Sequence, residues 1–173
     1  MSTVTGLIKN IMAGLNDRHK AILEGRYGLT QPDSLTLAKL GNQYNLTRER
    51  IRQIEALALK LVRSNVQRGG AGLDRFVKLV SQQLRSAGNV RREDVLLREV
   101  GTAFGSEQNT TNQTLHNKLR FLLEVSHQFS FTNDTDHFYS YWYLHDRDKK
   151  RAVSFINKVL NAWNSKQGLQ NHI

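Results

Sequence analysis

Residues 46–56 carry polar side chains at spacings that could read the edges of base pairs. Read as an α-helix, the segment begins after Thr47, whose hydroxyl can cap free backbone N–H groups. Ile51 and Ile54 then share one face, and the opposite, solvent-facing side carries Arg48, Glu49, Arg52 and Gln53. In a major groove, Arg can bind guanine through two hydrogen bonds, Gln can bind adenine and Glu can accept from cytosine. The pattern predicts a DNA-recognition helix; the alternative is an ordinary charged surface helix.

The residues before this helix complete a helix-turn-helix pattern. A short first helix is predicted from Leu37 to Tyr44, after the helix breaker Pro32. Asn45 follows, and Asn tolerates the left-handed backbone of a sharp turn. Two helices that cross at roughly 90–120° need a small residue near their closest approach, and Gly41 provides it.

The segment from about Leu15 to Arg63 resembles region four of bacterial primary sigma factors. Its upstream part is similar to the first helical pair of that family, including the ending Arg26-Tyr27-Gly28-Leu29, and Thr47 to Ala56 is close to identical to the family's signature. The resemblance implies a module that recognises an upstream promoter element and rests on a flap of the RNA polymerase β subunit.

The resemblance also assigns roles to residues. It places Arg48, Glu49, Arg52 and Gln53 where the family reads bases, and Thr47 and Arg50 near the phosphate backbone. Leu57 and Leu61 depart from the family pattern, because basic residues usually stand there. As i, i+4 neighbours they form a second apolar stripe, which we expect the rest of the chain to cover.

The 173-residue chain is basic along its whole length. It holds 25 Lys and Arg against 15 Asp and Glu, a net charge of +10. Residues 1–66 hold 10 of the basic and 5 of the acidic side chains, which leaves 15 and 10 for the remainder, so each part carries +5. Neutralising phosphates releases counterions. The balance therefore favours a polyanionic partner, although many basic proteins are merely soluble.

After the glycine-rich stretch 67–72, the pattern indicates a second domain. Helices are predicted from Leu73, from Val90 and from Gln113 to His127, followed by a β-hairpin of residues 129–131 and 138–144 and a last helix to about Asn164. Three helices and a hairpin outline a winged helix. The segment 73–144 also resembles HARE-type winged-helix domains, including its ending Trp142-Tyr143-Leu144.

The aromatic strand of the hairpin has two interpretations. Its side chains could stack on the bases of a single strand, or they could fill the core. Alternation puts Tyr139, Tyr141 and Tyr143 on one face, and we expect Trp142 and Leu144, on the other, to be core. The tyrosine face would be exposed or would pack against the last helix.

The sequence contains no pattern that indicates catalysis. It lacks cysteine, a His-x-x-x-His pair, a Walker loop and a Gly-x-Ser-x-Gly elbow. We therefore expect no enzyme activity, no catalytic residue, no metal and no cofactor. No run of 18 or more apolar residues is present, and residues 1–15 lack both a basic start and a long apolar core, so we expect no transmembrane helix and no secretory signal. We expect a cytoplasmic protein that neither contacts a membrane nor takes a small-molecule substrate.

Together these observations predict a mainly α protein with two domains. Residues 1–66 would form a helix-turn-helix DNA-binding domain, 67–72 a linker, and 73–173 a winged-helix-like domain with one small β-hairpin and a C-terminal helix. The predicted function is sequence-specific binding of double-stranded DNA in transcription, as a solo region-four-like regulator or accessory factor of a bacterial-type RNA polymerase. One alternative is an adaptor that occupies the polymerase flap. Another is the recognition piece of a DNA-modifying enzyme.

Overall fold

The structure, a computed structural model, describes residues 3–69, 72–104, 111–136 and 138–170, with side chains described as far as residue 163. Within these ranges the chain forms eight helices and one three-stranded antiparallel sheet, which confirms a mainly α fold. Among the described residues, no helix combines the length and the apolar character that a membrane span requires.

The first four helices begin at side-chain caps. They are α1 (Val4–Ile11), α2 (Asp17–Tyr27), α3 (Leu37–Tyr44) and α4 (Arg48–Gln67). Before each helix, the side-chain oxygen of a capping residue accepts a hydrogen bond from the backbone N–H three residues ahead; these residues are Thr3, Asn16, Thr36 and Thr47. Local hydrogen bonding therefore sets where each helix starts.

The rest of the chain forms four more helices and the three strands. They are α5 (Asp74–Ser86), α6 (Glu93–Phe104), α7 (Asn112–Ser126) and α8 (Asp146–Gln170), and the strands are β1 (Val90–Arg92), β2 (Ser130–Thr132) and β3 (Tyr141–Tyr143). The predicted hairpin is the antiparallel pair of β2 and β3, with Phe131 opposite Trp142. The prediction that a helix starts at Val90 was wrong: residues 90–92 are extended because they pair with β3, and the helix begins at Glu93.

Two apolar clusters hold the fold together. The smaller one consists of Ile22, Leu40, Ile51 and Ile54 and lies inside the helix-turn-helix. The larger one takes side chains from α1, from the tail of α4 and from α5 to β3, and so crosses the predicted linker. Gly70 and Ala71 of that linker lie outside the described residues, and the division into two domains stays a prediction. The segments on either side of the linker nevertheless share one core.

Helix α7 makes many of the contacts between these segments. The ring centroids of Phe121 and Tyr27 lie 4.7 Å apart. The Asn117 amide nitrogen donates to the carbonyl oxygens of Gly28, at 3.1 Å, and of Pro32, at 3.0 Å. The Lys118 ammonium donates to the hydroxyl of Thr5 at 2.7 Å. One helix of the second segment thus fixes both α1 and the loop between α2 and α3.

The aromatic strand is buried on both faces. Trp142 is fully buried, which confirms it as a core residue, whereas Leu144 is half-buried and packs against the edge of the larger cluster. Tyr141 and Tyr143 are also buried, on the side where α8 packs against β1 and β3. Beyond this contact α8 presents apolar side chains to solvent, with Phe155 68% and Trp163 62% exposed.

The shared core predicts that damage at α7 destabilises the whole chain. Phe121→Ala removes a buried ring and should lower the free energy of unfolding by about 3–5 kcal/mol. Helical circular dichroism in a urea titration should still show a single transition. Phe155→Ala, which removes the same ring from an exposed site, should shift the free energy by less than about 0.5 kcal/mol. Two separate transitions in the unaltered chain would contradict the shared core.

Candidate DNA-recognition helix

The turn between α3 and α4 is held by backbone contacts. Asn45 adopts the left-handed conformation, with φ of 52° and ψ of 45°, and the N–H of Leu46 donates to the carbonyl of Gly41 at 2.9 Å. A Cβ atom on Gly41 would lie only 2.7 Å from the backbone oxygen of Leu46. Gly41 is therefore the small residue that the close approach requires, as the sequence predicted.

Two isoleucines fix the rotation of α4. Ile51 and Ile54 are buried against Ile22 and Leu40, and the Thr47 hydroxyl caps the helix by accepting from the N–H of Arg50 at 3.1 Å. Since the apolar face points into this cluster, the polar face of the first turns must point outward.

All six predicted DNA-contacting residues are exposed. They are Thr47, Arg48, Glu49, Arg50, Arg52 and Gln53. The structure thus places them together, at the N-cap and on the first two turns of α4. It does not test the role assigned to each one, which stays a prediction.

The polar side chains on this edge are linked to each other. The Arg52 guanidinium donates twice to the Glu49 carboxylate, from Nε at 2.8 Å and from Nη2 at 2.7 Å. The Gln53 amide oxygen accepts from Arg50 Nη1 at 3.1 Å. The sequence prediction missed this network, although the i, i+3 spacing of Glu49 and Arg52 is a recognised signal for such a pair.

The ion pair keeps both partners charged. The hydrogen bonds from Arg52 lower the pKa of Glu49, and Glu49 raises the pKa of Arg52. Both groups are solvent-exposed, so the attraction between them is weak. The pairing therefore orients the guanidinium only weakly, and water or a base edge can replace the carboxylate as its partner.

The far end of α4 is anchored to the protein. The Arg26 guanidinium lies 3.3 Å from the Glu55 carboxylate. The Asn65 amide nitrogen donates to the carbonyl oxygens of Ile11, at 3.0 Å, and of Ala13, at 2.8 Å. The exposed edge thus lies on a helix that is held to the protein at both ends.

The structure corrects one expectation about α4. Leu57 is 50% exposed and Leu61 is 41% exposed, so the described residues leave about half of the second apolar stripe uncovered. Ala58 and Val62 occupy the face that contacts the larger cluster, and this face turns Leu57 and Leu61 away from it. The i, i+4 spacing identified the stripe, but it could not show which of two adjacent apolar faces the core would take.

Comparison with known proteins identifies the segment that contains this helix. The sequence model of the family described as sigma-70, region 4, matches residues 11–64. This segment belongs to the sigma-70 region 4 family. Similar proteins include the RNA polymerase sigma factor RpoD of Helicobacter pylori, 45% identical over 58 residues, and the RNA polymerase sigma factor SigA2 of Synechococcus elongatus, 43% identical over 56 residues.

The similarity is confined to part of each protein. The aligned segment covers 33% of this chain and 9% of the Helicobacter pylori protein, and 32% of this chain and 18% of the Synechococcus elongatus protein. No solved structure matches the chain. The sigma factor likeness therefore describes the region-four segment, and the matches above do not extend to the part after it.

The contact at Gly41 yields a stability prediction. Gly41→Ala should lower the free energy of unfolding by about 1–3 kcal/mol, because backbone must move to admit the methyl group. Gly101→Ala is the matched control, since its Cβ would lie 3.5 Å from the Leu115 and Leu119 side chains in ordinary contact. It should raise the stability by about 0.5–1 kcal/mol, the usual gain for Ala over Gly inside a helix. Thermal unfolding of both variants would measure the difference. Equal changes in stability for the two variants would show that the backbone of Leu46 does not lie tightly against Gly41.

Proposed function

We propose that the protein binds double-stranded DNA sequence-specifically in transcription, as a solo region-four-like regulator or as an accessory factor of a bacterial-type RNA polymerase. The observation that carries this proposal is the capped, outward-facing edge of α4, which lies in a segment of the sigma-70 region 4 family. The similar proteins are named as RNA polymerase sigma factors, which supports transcription as the setting.

In this function α4 lies in the major groove with its N-terminal turns against the bases. Arg48, Arg52 and Gln53 donate to base edges, and Glu49 accepts from them. Thr47 and Arg50 contact the phosphate backbone, and the net charge of +10 strengthens binding to any duplex. Specificity then comes from the helix edge, and most of the salt dependence comes from the overall charge.

The protein acts by binding rather than by catalysis. We propose that its partners are double-stranded DNA and RNA polymerase, in the cytoplasm, and that neither a cofactor nor a metal takes part. Among the described residues, no group of three or more His, Asp or Glu side chains could hold a metal ion.

Removing two base-reading side chains tests the DNA-binding function. Arg52→Ala combined with Gln53→Ala should reduce discrimination between a selected duplex and a scrambled one by about 1–3 kcal/mol per lost base contact. The thermal midpoint should hardly change, because both side chains are exposed. A selection of bound sequences from random duplexes would first supply the selected duplex, and fluorescence anisotropy would then measure both affinities.

The chain offers a matched control on α5. Gln82→Ala with Arg85→Ala removes the same two residue types from exposed positions of another helix. This variant should lose affinity for both duplexes equally and keep its sequence preference. The proposal fails if the two double variants show the same preference for the selected duplex over the scrambled one. It also fails if the variant at Arg52 and Gln53 unfolds.

A second candidate function is an adaptor that occupies the sigma-binding flap of RNA polymerase, with DNA contact secondary. The exposure of Leu57 and Leu61 favours it, because an uncovered apolar stripe on a surface helix is a common mark of a protein-binding site. The stripe lies on the same helix as the DNA-reading edge, so the two functions could operate in one complex.

Replacing Leu57 and Leu61 by polar residues tests the adaptor function separately from DNA binding. Leu57→Gln with Leu61→Gln should weaken binding to core RNA polymerase at least tenfold, since central apolar anchors of an interface often contribute about 2 kcal/mol or more. Duplex affinity should stay within twofold. Lys60→Gln, an exposed neighbour on α4, serves as control. Unchanged polymerase binding by the double variant would remove the adaptor role.

A further inference from the structure

A polar cleft lies in the second segment, away from the helix-turn-helix. It opens between the start of α6, the first turns of α7 and the chain before β3, and its volume is about 420 Å³. This volume is within the usual range for sites that bind small molecules or single chemical groups. The residues that matter for its chemistry are Arg92, Glu93, Asp94, His116, Arg120 and Tyr139.

The charges in the cleft balance. The Arg92 guanidinium donates to both carboxylate oxygens of Asp94, at 2.6 and 2.7 Å. Arg120 lies 3.5 Å from the carboxylate of Glu93, which also accepts from the indole nitrogen of Trp142 at 3.2 Å. Each guanidinium therefore already faces a carboxylate. A phosphate or another anion would meet no unpaired cation here, so the cleft suits a neutral ligand with donors and acceptors of its own.

An exposed aromatic ring forms one wall of the cleft. Tyr139 is 73% exposed, the most exposed large apolar or aromatic side chain among the described residues. The Arg92 guanidinium lies over its ring, 4.9 Å from the centroid. This contact holds the ring in place, as Asp94 in turn holds Arg92. The exposed ring therefore offers a surface on which a flat ligand can stack.

Hydrogen-bonding groups face the same space. The half-buried imidazole of His116 makes no side-chain hydrogen bond within the described ranges, and it lies one helical turn from Gln113 and Arg120 on α7. The Gln113 amide nitrogen donates to the Asn117 side chain at 3.0 Å. The cleft thus combines an aromatic ring with the imidazole of His116 and the amide oxygen of Gln113, which can pair with the edge of a planar heterocycle.

From this arrangement we propose that the cleft binds an unpaired nucleobase of a single-stranded nucleic acid, stacked on Tyr139. A nucleobase is planar and neutral, and its edge carries both donors and acceptors, as the charge-balanced lining requires. The sugar-phosphate strand stays outside, where the net charge of +10 attracts it. This site is independent of the duplex-binding edge of α4 and goes beyond the proposed function.

The test compares two substitutions of one residue. Tyr139→Ala should weaken binding of a fluorescein-labelled single-stranded oligothymidine about 5- to 150-fold, the range that corresponds to loss of one base–aromatic stack. Tyr139→Phe keeps the ring and should bind within twofold of the unaltered protein. Trp163→Ala removes another exposed aromatic side chain, from α8, and should have no effect on the affinity. A 4-thiothymidine strand, irradiated when bound, should crosslink to the cleft and not to α8.

Further measurements separate this site from the duplex-binding edge of α4 and from a site for free nucleosides. The Arg52→Ala and Gln53→Ala double variant should bind the single strand normally, and Tyr139→Ala should bind a hairpin duplex normally. Free thymidine should bind far more weakly than the strand, because it lacks the phosphates that the protein's charge attracts. The proposal is overturned if Tyr139→Ala binds the single strand with unchanged affinity, if Trp163→Ala loses as much, or if thymidine binds as tightly as the strand.

Discussion

The close approach of α3 to the chain that enters α4 is the constraint on which the candidate DNA site depends. With no Cβ at Gly41, the backbone of Leu46 can sit against α3, and the left-handed Asn45 then directs the chain into the Thr47 cap. Ile51 and Ile54 complete the arrangement by fixing the rotation of α4. The polar edge is outward because of these backbone and apolar contacts, and its own charged side chains contribute little to that placement.

The second segment uses its third helix in an unexpected way. In a helix-turn-helix or winged-helix module, the third helix commonly enters the groove. Here Phe121, Asn117 and Lys118 of α7 pack or bond against the first four helices. That face is therefore unavailable to DNA. One open surface of the second segment is the cleft beside Tyr139, in the aromatic segment for which the sequence left two interpretations, stacking and core.

Structural features that depend on adjacent residues could be predicted from the sequence. The Thr47 cap, the turn at Asn45 and the alternation that buries Trp142 depend on a few adjacent residues each. Features set by distant partners could not. The strand at Val90–Arg92 is extended because it pairs with residues about fifty positions later, and its sequence alone is equally compatible with a helix start. Whether Leu57 or Ala58 faces the core depends on α1 and α7, which no pattern within α4 reveals.

Helix α4 spans 20 residues, roughly 30 Å, and it runs without interruption from the polar edge to the shared core. In the proposed complex with DNA, it is therefore a stiff connection between the duplex and the rest of the protein. When α4 sits in a groove, the second segment projects from the duplex at a fixed angle around its axis. The second segment can therefore reach another site on the same DNA only when that site lies on the same face of the duplex. Moving that site by half a helical turn would place it on the opposite face.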